Sequence, residues 1–117
     1  MYDVKPEVQS ELSSIPGVTV SDAYPTDFGK LPHISFYEIA NSNALNMSTE
    51  HLTDISIQVD IWHKRSTGAL AQSVDEKMNS LGLRRQFMAD IPDPSGIKHK
   101  TLRYRGVVDS RTKIVHQ

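Results

Sequence analysis

The chain has 117 residues, the length of one domain, and a domain of this size can bury a hydrophobic core without covalent staples. It contains no cysteine, which excludes a disulfide framework and thiolate metal sites and suits a reducing compartment. No apolar run approaches the ~20 residues that a membrane span requires, and the first residues lack the apolar segment of a secretory signal. We therefore expect a soluble protein with no membrane partner.

The formal net charge of −1 conceals two halves of opposite sign. Residues 1–59 hold eight acidic and two basic residues, a formal charge of −6, whereas residues 60–117 hold eleven basic and six acidic residues, a charge of +5. Such halves favour either charge complementarity within the fold or head-to-tail contact between copies.

The first third of the chain predicts a helix and two strands. Residues 3–15 place several aliphatic side chains on one helical face, and a proline followed by a glycine ends the helix. Residues 18–20 predict a short strand, and residues 23–32, with two prolines, predict a connection. Residues 33–39 alternate apolar and polar side chains and predict a second strand.

The next stretch, residues 41–50, is polar and shows no periodicity. We expect a long exposed loop that joins two antiparallel strands and is mobile until a partner or a neighbouring subunit orders it. This candidate contact loop consists of Asn41, Ser42, Asn43, Ala44, Leu45, Asn46, Met47, Ser48, Thr49 and Glu50.

The clearest strand and the clearest helix follow in direct succession. In residues 54–62 four aliphatic side chains alternate with mostly polar ones, which predicts a strand buried on one face. Four apolar residues then recur at intervals of four, four and three, which predicts an amphipathic helix. Ser66 or Thr67 can cap its start, and Gly82 can adopt the left-handed conformation that closes its end. The helix stripe is expected to pack on the aliphatic strand face.

A third long strand is predicted after this helix. Residues 83–89 place Leu83, Phe87 and Ala89 on one side, and residues 90–97 form a turn rich in proline and aspartate.

The last strand is predicted in residues 98–109, with Gly106 marking a bulge. Residues 110–117 show no pattern and are expected to form a mobile tail or an arm ordered by a neighbour. Residues 1–109 therefore predict a single α+β domain. It has a mostly antiparallel sheet of four or five strands with two helices packed on one face.

No constellation of catalytic or cofactor-binding residues stands out. The five histidines are scattered, the six glycines stand singly, and no serine lies in a nucleophile motif. Asp54 and Asp60 flank the polar side of the central strand, but six residues of extended chain separate them by about 20 Å. They are expected to be solvated or paired with basic residues of adjacent strands. We expect no enzyme activity, no metal and no cofactor.

One basic cluster lies on two segments that are predicted to be neighbouring antiparallel strands. It consists of Arg84, Arg85, Lys98, Lys100, Arg103 and Arg105. Such a cluster can be a solvated surface, a protein interface or a phosphate-binding surface. Few aromatic residues interleave with it, which disfavours nucleic acid. Trp62, on the otherwise polar side of the central strand, is either part of a second small core layer or an interface anchor.

The order of these elements resembles the small tail-completion proteins of long-tailed bacteriophages, also called tail terminator or tail-to-head joining proteins. The resemblance extends over residues 4–109. It depends on the strand that ends in VDIWHK, the helix that ends in LGL, and the segments RRQFMADIPD and IKHKTLRYRGVVD.

This resemblance implies an α+β subunit that assembles into a ring, usually of six, on the phage tail tube and then docks to the head connector. It implies a virion protein that is present in the host cytoplasm during assembly, and it implies no catalytic residue. Nucleic acid would meet the protein only when the genome passes through the ring. The alternative is a small nucleic-acid-binding module that uses the basic strands 84–105.

Overall fold

The computed structural model describes residues 4–21, 32–43, 52–109 and 114–116. In these parts the elements are α1 (Lys5–Ser13), β1 (Thr19–Ser21), β2 (His33–Asn43), β3 (Leu52–His63), α2 (Gly68–Ser80), β4 (Arg84–Ile91), β5 (Lys98–Asp109) and β6 (Ile114–His116). The strands form one sheet in the order β1-β2-β3-β5-β4, and β6 pairs with β5. β1 runs parallel to β2, and the remaining pairings are antiparallel. The predicted α+β class, with a mostly antiparallel sheet and two helices, is confirmed.

The hydrophobic core lies between the two helices and one face of the sheet. The aliphatic residues of β3, which are Ile55, Ile57, Val59 and Ile61, are fully buried, as their alternation predicted. We call this surface of the sheet the helix side and the opposite surface the polar face. The core on the helix side is built from Val4, Val8, Leu12, Ile15, Ile34, Phe36, Ile55, Ile57, Val59, Ile61, Ala71, Val74, Met78, Leu83, Leu102, Tyr104 and Val108.

Helix α2 has the predicted start and end. Its backbone begins beside Ser66, whose Oγ accepts a hydrogen bond of 3.3 Å from the Gly68 amide. Gly82 has φ of 85°, and its amide bonds to the carbonyl of Asn79, while the next amide, of Leu83, bonds to the carbonyl of Met78. This is the hydrogen-bond pattern of a Schellman motif, which satisfies the last carbonyls of a helix.

β3 and β5 form the long central pair of the sheet. Their register is continuous from Leu52 opposite Asp109 to His63 opposite Lys98. The expected bulge at Gly106 is therefore wrong. This glycine is buried in regular pairing opposite Ile55.

A bulge does occur in β4, between Arg85 and Phe87. Because Gln86 is an extra residue, the side chains after it point to the opposite face from the one that strict alternation predicts. Leu83 is therefore fully buried on the helix side, while Phe87 lies on the polar face and is 47% exposed. The prediction that Leu83 and Phe87 share one side is therefore wrong. Strict alternation fails because a bulge shifts the side-chain period by one residue.

Two predicted irregular segments are partly strand. Residues 40–43, of which 41–43 were expected to begin the contact loop, extend β2 and pair with β3, so the strand is four residues longer than predicted. Residues 114–116, expected to belong to a mobile tail, pair with β5. Polar and short segments give weak periodicity, and here it is the backbone pairing with a neighbouring strand that stabilises them. The rest of the contact loop, residues 44–50, lies outside the described residues, as do residues 110–113 and most of the connection 23–32.

Candidate functional site: the polar face of the sheet

The polar face is formed by alternate residues of β2, β3, β5 and β4 that point away from the helices. In β3 these are Asp54, Ser56, Gln58, Asp60 and Trp62. Opposite them in β5 lie Val107, Arg105, Arg103, Thr101 and His99. The register of β2, β3 and β5 thus places their polar side chains next to one another in one row on this face.

A buried carboxylate lies at the centre of this row. Asp60 is 5% exposed, and its Oδ2 accepts a hydrogen bond of 3.0 Å from the Tyr37 hydroxyl and one of 3.2 Å from Gln58 Nε2. His99 Nε2 lies 2.9 Å from Oδ1 of the same carboxylate. A buried carboxylate is costly unless such partners satisfy it, so these bonds fix three strands relative to one another.

The network continues towards the surface. Gln58 Nε2 also donates to the Tyr37 hydroxyl over 2.6 Å, and its Oε1 accepts a bond of 3.2 Å from Arg103 Nε. Burial, followed by the hydrogen bond to Asp60, raises the pKa of Tyr37 above its usual value. Tyr37 therefore remains a neutral hydroxyl donor at physiological pH.

Trp62 belongs to this layer and is only 3% exposed. Its ring stacks on His99, and its Nε1 donates to Ser35 Oγ over 3.4 Å. Of the two interpretations of Trp62, the structure favours the second small core layer, because a side chain so deeply buried cannot anchor a partner without moving.

Arg103 and Arg105 are exposed on the polar face, and each contacts a neighbouring side chain. The guanidinium of Arg103 lies over the Phe87 ring, 5.5 Å from its centroid, so the cation is held beside an exposed aromatic. Arg105 Nε donates to Asp54 Oδ1 over 2.9 Å, and this bond lowers the pKa of Asp54. The expectation that Asp54 pairs with a basic residue of an adjacent strand is confirmed. The carboxylate of Asp60 instead bonds to the side chain of His99, which lies opposite Trp62 in β5.

The six basic residues of the predicted cluster do lie on neighbouring antiparallel strands, but the sheet divides them. Arg84, Arg103 and Arg105 lie on the polar face, whereas Arg85, Lys98 and Lys100 lie on the helix side.

Within the described part of the chain, three residues of the cluster pair with carboxylates. Arg85 lies 3.5 Å from Asp75, Lys100 lies 3.0 Å from Asp90, and Arg105 pairs with Asp54. The positive potential of each surface is correspondingly weaker than the sequence implied.

An open cleft of about 630 Å³ lies between the start of α2 and the β4–β5 turn. It is lined by residues 65–68 together with residues of the segment 90–100, including Lys98, Lys100, Asp90 and Asp93. Both signs of charge line it, and no sequence motif indicated it. Sequence reasoning also missed the roles of Tyr37 and Gln58, although strand alternation had placed both on the polar parity.

Among the residues that the structure describes, no group of three His, Asp or Glu side chains could hold a metal ion. None of the helices in this part of the chain is long and apolar enough to cross a membrane. Comparison with protein-family models and with curated proteins finds no match for this chain.

Proposed function

We propose that this chain is a structural protein of a phage virion, which caps the tail tube and joins it to the head connector as a ring-forming oligomer. The observation that carries the proposal is the polar face, a hydrogen-bonded surface that presents Arg103 to solvent beside Phe87. The order of helices and strands, which the resemblance to tail-completion proteins required, supports it as well.

A surface of this kind suits contact between proteins. Arginine and aromatic side chains are enriched at the centre of protein interfaces, and most interfaces that form between folded partners are as polar as the rest of the surface. The network behind Arg103 holds Gln58 and Tyr37 in place before a partner arrives. Less side-chain freedom is then lost on binding.

The charge distribution suits a ring. Residues 1–59 carry a formal charge of −6 and residues 60–117 carry +5. Arg105 already pairs with Asp54 of the acidic half within its own chain. In a head-to-tail contact, an acidic surface of one subunit meets Arg103, and the exposed part of Arg105, of the next, and a contact repeated by rotation closes a ring. Complementary charge sets the register and the encounter rate of such contacts more than their affinity.

The test is a joining assay with purified protein. Tails that lack the protein are mixed with DNA-filled heads and with the parent or the double variant Arg103→Glu/Arg105→Glu, and infectious particles are counted. The variant should remain folded, because both side chains are exposed, but joining should fall by about tenfold or more, as for loss of interface arginines.

The matched control is Lys64→Glu/Arg65→Glu, which changes the net charge equally at two exposed residues outside the polar face. It should join heads to tails as the parent does. Normal joining by the Arg103→Glu/Arg105→Glu protein, with an unchanged thermal midpoint, would contradict the proposal.

The alternative, a nucleic-acid-binding module, has one feature in its favour. Phe87 is exposed beside Arg103 and could stack on a base. Against it, carboxylates neutralise Arg85, Lys100 and Arg105, which reduces counterion release on binding a phosphate backbone. Submicromolar binding of DNA or RNA at physiological salt, abolished by the double arginine reversal while joining stays normal, would establish the alternative.

A further inference from the structure

The outer edge of β4 carries an unusual set of side chains. One edge of β4 pairs with β5, and no strand among the described residues pairs with the other. Along these eight residues Phe87 is 47% exposed, Met88 41% and Ile91 39%. Phe87 and Ile91 lie on the polar face and Met88 on the helix side, so both faces of the strand are partly apolar.

An exposed edge strand offers unpaired amides and carbonyls to any other extended chain. Proteins usually protect such edges with prolines, very short strands, bulges or charged side chains. β4 has no proline, its bulge at Gln86 lies towards one end, and its charged residues, Arg84, Arg85 and Asp90, lie towards both ends. The apolar centre of the strand therefore favours pairing.

We propose that β4 pairs antiparallel with β4 of a second copy of this chain, about a two-fold axis at Met88. In this register the bulged Gln86 has no partner, so Arg85 of each copy lies opposite Asp90 of the other, and Phe87 lies opposite Ala89. The bulge at Gln86 makes the facing consistent, because Arg85 and Asp90 both lie on the helix side while Phe87 and Ala89 both lie on the polar face.

Charge complementarity selects this register. A two-fold axis at Phe87 would place Arg85 opposite Met88 and leave Asp90 without a basic partner across the pair. Within each chain, Arg85 lies 3.5 Å from Asp75, and Asp90 lies 3.0 Å from Lys100. The axis at Met88 brings Arg85 of one copy next to Asp90 of the other. Pairing then links four charges of alternating sign, Asp75 and Arg85 of one copy with Asp90 and Lys100 of the other.

The pair is expected to be weak, because one strand on each side buries less surface than a standard stable interface. It is a form of the free protein that covers Phe87 and Met88, and it does not depend on the phage assignment. Failure of the joining assay would leave it standing, and absence of the pair would leave the joining assay unaffected.

The chain has no cysteine, so a single introduced cysteine reports on this geometry. At the axis, the two copies of residue 88 face each other with Cα atoms about 4.5–5.5 Å apart, which a disulfide can bridge. Met88→Cys should therefore form a covalent dimer rapidly on mild oxidation. Ile39→Cys is the control, since Ile39 is 45% exposed against 41% for Met88 but lies on β2, away from this edge.

Sedimentation equilibrium gives the second measurement. The parent should show a monomer–dimer equilibrium, and Met88→Lys should weaken it by about tenfold or more because like charges then face each other across the axis. Ile39→Lys should leave it unchanged. A parent that remains monomeric up to about 1 mM, or equal cross-linking of Met88→Cys and Ile39→Cys, would overturn the proposal.

Discussion

The indole of Trp62 stacks on the imidazole of His99, with ring centroids 3.7 Å apart and an angle of 14° between the planes. The same imidazole bonds through Nε2 to the buried carboxylate of Asp60. One side chain of β5 therefore holds both an aromatic ring and a carboxylate of β3 in place.

We expect His99→Ala to lower the free energy of unfolding by about 1–3 kcal/mol, because the stack is lost and Asp60 keeps one partner fewer. Urea denaturation monitored by tryptophan fluorescence measures this loss. His63→Ala is the control, since His63 Nδ1 accepts a 2.8 Å bond from the exposed Arg65 amide, and the loss of stability should be smaller. Equal losses in the two variants would show that the stack contributes nothing.

The helix side and the polar face of β3 should respond oppositely to the same substitution. Ile57→Asp places a charge in the core and should unfold the domain, since the cost of several kcal/mol approaches a typical stability of about 5–15 kcal/mol. Ser56→Asp, one residue earlier, lies opposite Arg105 on the polar face and should remain folded. Circular dichroism and the thermal midpoint distinguish the two, and a folded Ile57→Asp protein would mean that this face is not the core.

Because of Tyr104, we expect the free energy of unfolding to fall at alkaline pH. Its hydroxyl donates to Asp75 Oδ1 over 2.8 Å, and burial, followed by this bond, raises its pKa. Because the folded pKa lies above the unfolded value of about 10, the stabilisation is complete below pH 10. It declines as the pH rises further, by up to about 1.4 kcal/mol per pH unit.

The variant Tyr104→Phe removes this titrating group. Its free energy of unfolding at neutral pH should be lower by about 1 kcal/mol because the hydrogen bond is lost, but it should decline less steeply between pH 10 and about 11. Urea denaturation at a series of pH values gives both quantities. Parallel declines in parent and variant would contradict the role of Tyr104.

The glycine that begins α2, Gly68, and the glycine just after its end, Gly82, should differ in their tolerance of alanine. Gly82 has φ of 85°, where a side chain is strained, so Gly82→Ala should cost about 1 kcal/mol. At Gly68, in the first turn, a Cβ would meet only Ser66 Oγ, at an ordinary distance of 3.5 Å. Gly68→Ala should therefore be neutral or stabilising by up to about 1 kcal/mol. Thermal unfolding of both variants decides, and a larger loss at Gly68 would argue against this difference.

Elements with strong local periodicity could be predicted from the sequence. The alternation in β3 indicates its buried aliphatic face, because a side chain's direction follows from its position in a strand or helix. The stripe of α2 indicates the buried Val74 and Met78, but Leu70 and Leu81 are only partly buried and Ala71 is buried outside the stripe. Gly82 could be predicted from a local property as well, because glycine adopts the left-handed backbone conformation more readily than other residues.

The polar face could be predicted only in part. Alternation placed Gln58, Asp60 and Tyr37 on the polar parity, but their contacts depend on the register between β2, β3 and β5, which a local pattern does not contain. The bulge at Gln86 was missed for a related reason: its effect on Phe87 depends on how β4 pairs with β5.

The central position of β3 also determines when the domain can fold during synthesis. β3 lies between β2, which precedes it, and β5, whose first residue, Lys98, is made after α2 and β4. Until β5 leaves the ribosome, one edge of β3 has no partner strand, and its row of isoleucines lies in an incomplete sheet. The β2–β3 hairpin is then exposed to other unfinished chains. The domain is thus expected to form late and in one cooperative step, when β5 inserts between β3 and β4, so that shortening the chain before β5 should yield aggregates instead of a smaller folded unit.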